Sequence, residues 1–248
     1  MAIAVFGDIH GNLEALEAIL KHIKKNRKIK DVYFLGDAIT FGPDSAACLK
    51  LLASSKLNIK SVTGNHEQRM VRYDKSVSTM TYASMKHMEY VYHSLDNEDF
   101  RFIKSMPNEI KINYKGINVL FTHYGLDENG VVRDDYDEFT EAQLERLFGH
   151  KNADVVFFGH IHKRKIIINE SGHSFICNGA SGCVKGDKTF YTYFDVNNDI
   201  GDEKNLDIYR VNVPFNRKKF DEKMHTLPIP DKEVFAPHVF GIDFSKQD

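Results

Sequence analysis

The sequence predicts an α/β fold: a four-layer α-β-β-α sandwich of two mixed sheets, with helices outside and a helical cap insertion. Three observations predict it. Short, wholly apolar runs such as Ile3 to Phe6 and Val155 to Phe158 read as strands buried on both faces. Early in the chain these runs alternate with amphipathic helical patterns, as in βα units. Beyond Lys111 strand patterns dominate, which suits a second sheet stacked on the first.

Ile3 to Phe6 opens the chain as a central strand. Asn12 is placed to cap a helix whose apolar face carries Leu13, Leu16, Ile19 or Leu20, and Ile23. Lys21, Lys24 and Lys25 gather at its end, where the macrodipole favours cations. Val32 to Leu35 repeats the strand pattern. Phe41-Gly42-Pro43-Asp44 is a turn, with Asp44 capping a helix over Ser45 to Ser54. Leu57 to Val62 reads as the third strand. From Glu67 to Met106 the pattern is helical, and Asp96 to Asp99 cap a last short helix that Pro107 stops. Met80, Tyr82, Met85, His87, Met88, Tyr90 and Tyr92 make a stripe with two readings. It is core packing, or it is a cap over a site, with Tyr82 stacking on a base.

Lys111 to Tyr114 and Ile117 to Phe121 flank Lys115-Gly116 as a hairpin. Asp127 to Glu138 is an acidic loop containing Arg133. A helix over Glu141 to Phe148 leads to the strand Asp154 to Phe158. Ile166 to Ile168 and Ser174 to Cys177 form another hairpin, and Asn178 to Gly182 a glycine-rich loop. Thr189 to Val196 and Leu206 to Val213 complete the strands. From Asn216 a short helix gives way to irregular chain with Pro228 and Pro230.

A length of 248 residues allows a sizeable core. We expect one domain, with a C-terminal extension from about residue 214 and the cap near 70–108. A formal net charge of −2 gives no basic field for a nucleic-acid duplex, though small anions remain open to a metal site. Cys48, Cys177 and Cys183 are odd in number and lack a Cys-x-x-Cys pair, so they read as small buried hydrophobes in a reducing compartment. The apolar stretch Ala2 to Phe6 is too short for a signal peptide, and no run approaches a membrane span. The expectation is a cytoplasmic protein.

Five polar blocks each follow a predicted strand. They are Gly7-Asp8-Ile9-His10-Gly11, Leu35-Gly36-Asp37, Gly64-Asn65-His66-Glu67, Thr122-His123 and Gly159-His160-Ile161-His162. In open α/β sheets ligands bind at the carboxyl ends of strands, which gives these blocks one place to meet. Their hard oxygens and imidazoles, without a thiolate, suit Mn, Fe, Zn, Co or Ni and argue against a cysteine-type structural zinc site. Asp37 is a natural bridge, because a carboxylate can share its charge between two cations.

Together the blocks resemble the signature of the calcineurin-like metallophosphoesterases. The resemblance covers about residues 1–195. It implies two transition-metal ions, Mn or Fe foremost. Asp8, His10, Asp37 and His162 would hold one; Asp37, Asn65, His123 and His160 would hold the other. A hydroxide bridging the metals would attack phosphorus, and His66 would stabilise the transition state or protonate the leaving group. Glu67 either orients His66 or caps the next helix.

Protein phosphatases and symmetrical diadenosine tetraphosphatases carry Gly-Asp-x-x-Asp-Arg-Gly in the second block. Here Thr40 and Phe41 stand at the Asp-Arg positions, so that phosphate-clamping arginine is missing. The sequence is thus more similar to the small bacterial phosphodiesterases, among them asymmetrical diadenosine tetraphosphate hydrolases. The expected substrate is a small phosphate ester or dinucleotide. Arg69, Tyr124, Arg133, Lys163 and Arg164 are candidates to hold its distal phosphates. Two other readings stay open: a phosphomonoesterase or phosphoprotein phosphatase, and a non-catalytic binding or scaffold protein on the same fold.

Overall fold

Ile3 and Val5 of the first strand face one core while Ala2, Ala4 and Phe6 face another, and that division organises the whole molecule. The computed structural model describes residues 1–73, 82–124, 140–169, 172–198 and 204–245. The acidic loop with Arg133, the side chain of Tyr82 and the turn at Glu170-Ser171 lie outside the described residues.

One sheet has the order β10-β9-β1-β2-β3 and the other β4-β5-β6-β8-β7. In the first, β1 (Ala2–Phe6), β2 (Ile29–Phe34) and β3 (Ile59–Ser61) run parallel. Antiparallel β9 (Lys188–Asn198) and β10 (Lys204–Pro214) extend it. In the second, β5 (Ile117–Thr122), β6 (Val155–Phe158) and β8 (Ser174–Cys177) run parallel. Antiparallel β4 (Glu109–Tyr114) and β7 (Lys165–Ile168) form its edges. The third strand is shorter than the apolar pattern suggests, because only Ile59 to Ser61 pair with Val32 to Phe34.

The inner faces meet through Val5, Tyr33, Leu35, Val119, Phe121, Phe157 and Phe194. Tyr33 and Phe121 stack across the interface at 3.7 Å. Alternate residues face outward onto helices. Against the first sheet lie α1 (Leu13–Lys25), α2 (Ser45–Ser54), α4 (Tyr82–Ser94) and α5 (Asn97–Ser105). Against the second lies α6 (Glu141–Phe148). This is the expected four-layer sandwich. It explains why the β1 and β6 sequences are apolar throughout: both faces are covered. Truncating one fully buried ring here, such as Phe157, costs about 3–5 kcal/mol.

Asn12 and Asp96 cap as expected, whereas Asp44 precedes α2 without a side-chain cap bond, its carboxylate accepting instead from Lys223 Nζ at 2.6 Å. Asn12 accepts from Ala15 N–H at 3.0 Å, and Asp96 accepts from Glu98 and Asp99 N–H groups. In the stripe, Met88 is buried in the outer core, beside Val91 of the same helix. His87 instead accepts the Phe41 N–H at 2.8 Å.

The tail departs from expectation. After α7 (Arg217–Thr226) the chain forms a second helix, α8 (Lys232–Val239), with Pro237 inside it. Phe220, Met224, Ile229, Ala236, Phe240 and Ile242 build a core of their own, and Phe41 packs against it. The prolines at 228 and 230 precede the helix and do not abolish it. Among the described residues, no helix is long and apolar enough to cross a membrane.

Candidate metal centre

Parallel pairing brings the carboxyl ends of β1, β2 and β3 to one edge, and those of β5 and β6 to the matching edge of the other sheet. The five blocks meet there. Asp8, His10, Asp37, Asn65 and His123 are all buried, while His162 is partly open. Seven residues at this edge have left-handed backbone: Asp8 (φ 52°), His10 (48°), Asp37 (57°), Thr40 (72°), Phe41 (61°), His160 (70°) and His162 (59°). Such turns, one after another, swing successive side chains toward one point.

Close approach needs glycine at two places. A Cβ on Gly64 would lie 2.1 Å from Asp37 Oδ1, and one on Gly159 would lie 2.5 Å from Asp8 Oδ2.

The histidines are oriented by backbone carbonyls. His10 Nδ1 faces the Ile39 carbonyl at 3.2 Å, and His123 Nδ1 faces the Leu35 carbonyl at 2.7 Å. A carbonyl only accepts, so each Nδ1 donates and each Nε2 is turned to the centre. There His10 Nε2 is 3.0 Å from His162 Nε2. His123 Nε2 is 2.9 Å from Asn65 Oδ1 and 3.2 Å from Asp37 Oδ2. His160 presents Nδ1, 2.9 Å from the same Asn65 oxygen. Its backbone N–H donates to Asp8 Oδ1 at 3.1 Å.

Donor atoms of Asp8, Asp37 and His123 lie within 4.8 Å of one another, as do those of His10, Asp37 and His66, and of His10, His162 and Cys183. Asp37 belongs to two of these groups. Asp8 Oδ2 is buried with no hydrogen-bond donor. Facing imidazole nitrogens and an orphaned carboxylate oxygen are an arrangement that cations satisfy, so the residues fit a metal pair.

Charge in the cluster follows from burial. Burial opposes the charged form of Asp37, yet His123, and after it His66 and His10, hold its carboxyl well below the usual range. Burial opposes a charge on His123 too, but the attraction of Asp37 raises it to about 9. A metal ion bound here would displace that proton. Burial pushes His10 well down, and His66 down to about 4.

His66 opens α3 (Asn65–Val71), and its N–H donates to Asp37 Oδ1 at 3.0 Å. The residue that touches its ring nitrogen is Thr40, whose Oγ1 is 2.7 Å from His66 Nδ1. Glu67 takes the capping alternative. Its Oε2 accepts from Gly64 and Asp37 N–H groups at 2.9 and 2.8 Å, and its Oε1 from Ala38 N–H at 2.7 Å. Burial, then repulsion by Asp37, raises its carboxyl to about 7.

Of the residues predicted to touch substrate, Tyr124 is buried and stacks on His160, ring centres 4.8 Å apart, so it sits behind that ligand candidate. Arg69, Lys163 and Arg164 are exposed. Sequence reasoning missed Thr40 as a partner of His66. Cys183, read from sequence as a small buried hydrophobe, is partly buried beside His10 and His162; burial pushes its thiol well above the usual range. The signal for Thr40 was its place in the second block.

The family model for calcineurin-like phosphoesterases matches residues 1–164. The chain belongs to that family. Among its relatives, an uncharacterized protein of Methanocaldococcus jannaschii is 29% identical over 245 residues, covering 92% of this chain and 94% of that protein. An asymmetrical bis(5'-nucleosyl)-tetraphosphatase of Oceanobacillus iheyensis is 30% identical over 154 residues, 54% of this chain and 60% of the enzyme. A symmetrical one from Actinobacillus pleuropneumoniae is 23% identical over 151 residues, 60% of this chain and 54% of the enzyme. The chain therefore matches only about half of these tetraphosphatases' lengths. A solved structure of a hypothetical protein from Pyrococcus horikoshii aligns with TM-score 0.77 at 17% identity, covering 98% of this chain and 99% of that one. A metallophosphoesterase from Sphaerobacter thermophilus aligns at 0.66 and 22%, covering 96% and 99%. These likenesses establish the shared phosphoesterase fold.

Proposed function

We propose that this phosphoesterase is a two-metal phosphodiesterase acting on a nucleotide such as diadenosine tetraphosphate, which it cleaves asymmetrically to AMP and ATP. The observation that carries the two-metal reading is the position of Asp37, whose Oδ2 lies 3.2 Å from His123 Nε2 and 3.8 Å from His10 Nε2. One carboxylate thus serves two donor groups. Asp8, His10, Asp37 and His162 would hold one ion, and Asp37, Asn65, His123 and His160 the other, with Mn and Fe suited to this oxygen and imidazole set. Bound there, the metals would supply Lewis acidity toward phosphoryl oxygens and toward water.

The chain's own residues do the rest. Asn65 gives a neutral oxygen and so limits accumulated negative charge. His66 stands beside the cluster with Nε2 3.9 Å from Asp37 Oδ2, in reach of a leaving group. Its ring nitrogen Nδ1 meets Thr40 Oγ1, a neutral hydroxyl. The missing arginine in the second block, and the asymmetrical relative, support cleavage at an outer phosphate.

The deciding experiment is chromatography of the products from diadenosine tetraphosphate with the Mn-loaded protein. AMP plus ATP is expected. Two ADP would make the enzyme symmetrical. No turnover, with metal content confirmed, would reject diadenosine tetraphosphate and turn the search to other diesters and phosphoproteins.

A further inference from the structure

Thr40 Oγ1 lies 2.7 Å from His66 Nδ1 and 2.5 Å from the Ile39 carbonyl oxygen. The carbonyl can only accept, so the one hydroxyl proton goes to Ile39. A lone pair of Oγ1 is left for His66, and His66 Nδ1 is the donor. The same Ile39 carbonyl accepts from His10 Nδ1 at 3.2 Å, so one backbone oxygen anchors both rings. His66 Nε2 is then the nitrogen turned into the site.

The backbone at Thr40 adds an independent observation. Thr40 is 1% exposed and has φ 72°. A β-branched residue in this conformation is strained and persists where its surroundings over-determine it. Here its N–H is held by Ser45 Oγ at 3.0 Å, and the next residue's N–H by His87 at 2.8 Å. Glycine or asparagine would sit there with less strain, but neither would place a hydroxyl between His66 and Ile39.

We infer that Thr40 is the positioning residue of His66: its hydroxyl fixes the Nδ1–H form of the ring and presents Nε2 to the reacting phosphoryl group. The last clause rests on the phosphodiesterase reading; the tautomer does not.

The test compares wild type with Thr40→Val, Thr40→Ala and Thr40→Ser in the full chain with zinc, which is diamagnetic. Long-range ¹H–¹⁵N correlation spectra report which His66 nitrogen carries the proton, with His66→Asn identifying the signals. Wild type and the Ser variant are expected to show a protonated Nδ1, and the Val and Ala variants a shift toward protonated Nε2. In parallel, kcat on a phosphodiester should fall about tenfold or more in Val and Ala with KM nearly unchanged, and recover in Ser. Retention of the Nδ1–H pattern in both hydroxyl-free variants would overturn the inference, as would a Ser variant as impaired as Val. If wild type turns over no phosphodiester, the functional reading falls, while the spectra still decide the role of the hydroxyl.

Discussion

The ring of Phe235, in the C-terminal helix α8, packs 5.4 Å from the ring of Phe41, in the loop that carries Thr40. Phe235 also meets His87 at 5.1 Å, and Phe41 in turn lies 5.0 Å from His10 and 5.2 Å from His66. The tail thus buttresses the site loop through aromatic contacts.

Phe235→Ala should destabilise the protein by about 2–3 kcal/mol, below the range for a fully buried ring because Phe235 is only partly covered. It should also lower kcat by loosening the Phe41 turn. Urea unfolding and turnover with saturating metal check both. Full kcat in a destabilised variant would mean that the tail adds stability alone.

Glu67→Gln keeps the shape of the side chain but removes the charge from the hydrogen bonds that reach Asp37, Ala38 and Gly64. An amide can turn only one acceptor oxygen to those donors. Metal affinity should fall about 10- to 100-fold, as for a lost supporting contact. Titration calorimetry with Mn is the measurement, and unchanged affinity would rule out a supporting role.

Gly64→Ala forces a methyl group to within 2.1 Å of Asp37 Oδ1 and 2.5 Å of Asp37 N. We expect loss of metal binding out of proportion to loss of stability, because the carboxylate can move more cheaply than the strand. Metal content after gel filtration, read beside a thermal melt, separates these effects.

His66→Asn removes the ring that faces the cluster while leaving the proposed ligands in place. A fall of about 10² to 10⁴ in kcat with metals retained is expected for a general acid–base group. Chelation should abolish turnover in both proteins. Near-normal turnover of the metal-loaded variant would remove the proposed role of His66.

Asp195 links the two sheets. Its Oδ1 accepts from Lys115 Nζ at 2.6 Å and from Tyr114 Oη–H at 2.8 Å. Burial alone would raise its pKa, but these bonds lower it from 3.8 to about 2. A depressed carboxyl contributes stability above its unfolded pKa and loses it as pH falls through the folded value. Asp195→Asn should therefore cost roughly 1 kcal/mol at neutral pH, discounted for partial exposure. The difference from wild type should shrink between about pH 4 and pH 2. A difference constant over that range would mean that the bonds do not depend on the charge.

The legible parts of this protein were those written in contiguous sequence. Val155 to Phe158 followed by His160 and His162 signals a strand and its polar end, because covering both sheet faces leaves no polar position until the strand stops. Parallel order carries Asp8, Asp37 and Asn65 to one edge of the first sheet, and the stacking of the second sheet brings His123 to meet them. Thr40 was read only as a neighbour of the missing arginine in the second block, since its contact with His66 depends on a left-handed turn that no periodicity encodes. The second tail helix was hidden for a related reason. Lys232–Val239 is short, carries Pro237, and is defined by packing against Phe41 and its neighbours rather than by propensity.

The left-handed residues around the centre have a consequence for engineering. Asp8, His10, Asp37, Thr40, Phe41, His160 and His162 each hold a conformation that glycine would adopt more cheaply. At even about 1 kcal/mol apiece, the sum rivals the net stability of an ordinary domain. A screen that selects for heat resistance without asking for turnover should therefore drift toward glycine at these positions. Its winners would be sturdier proteins stripped of candidate metal ligands, so useful variants of this scaffold have to be selected on both properties together.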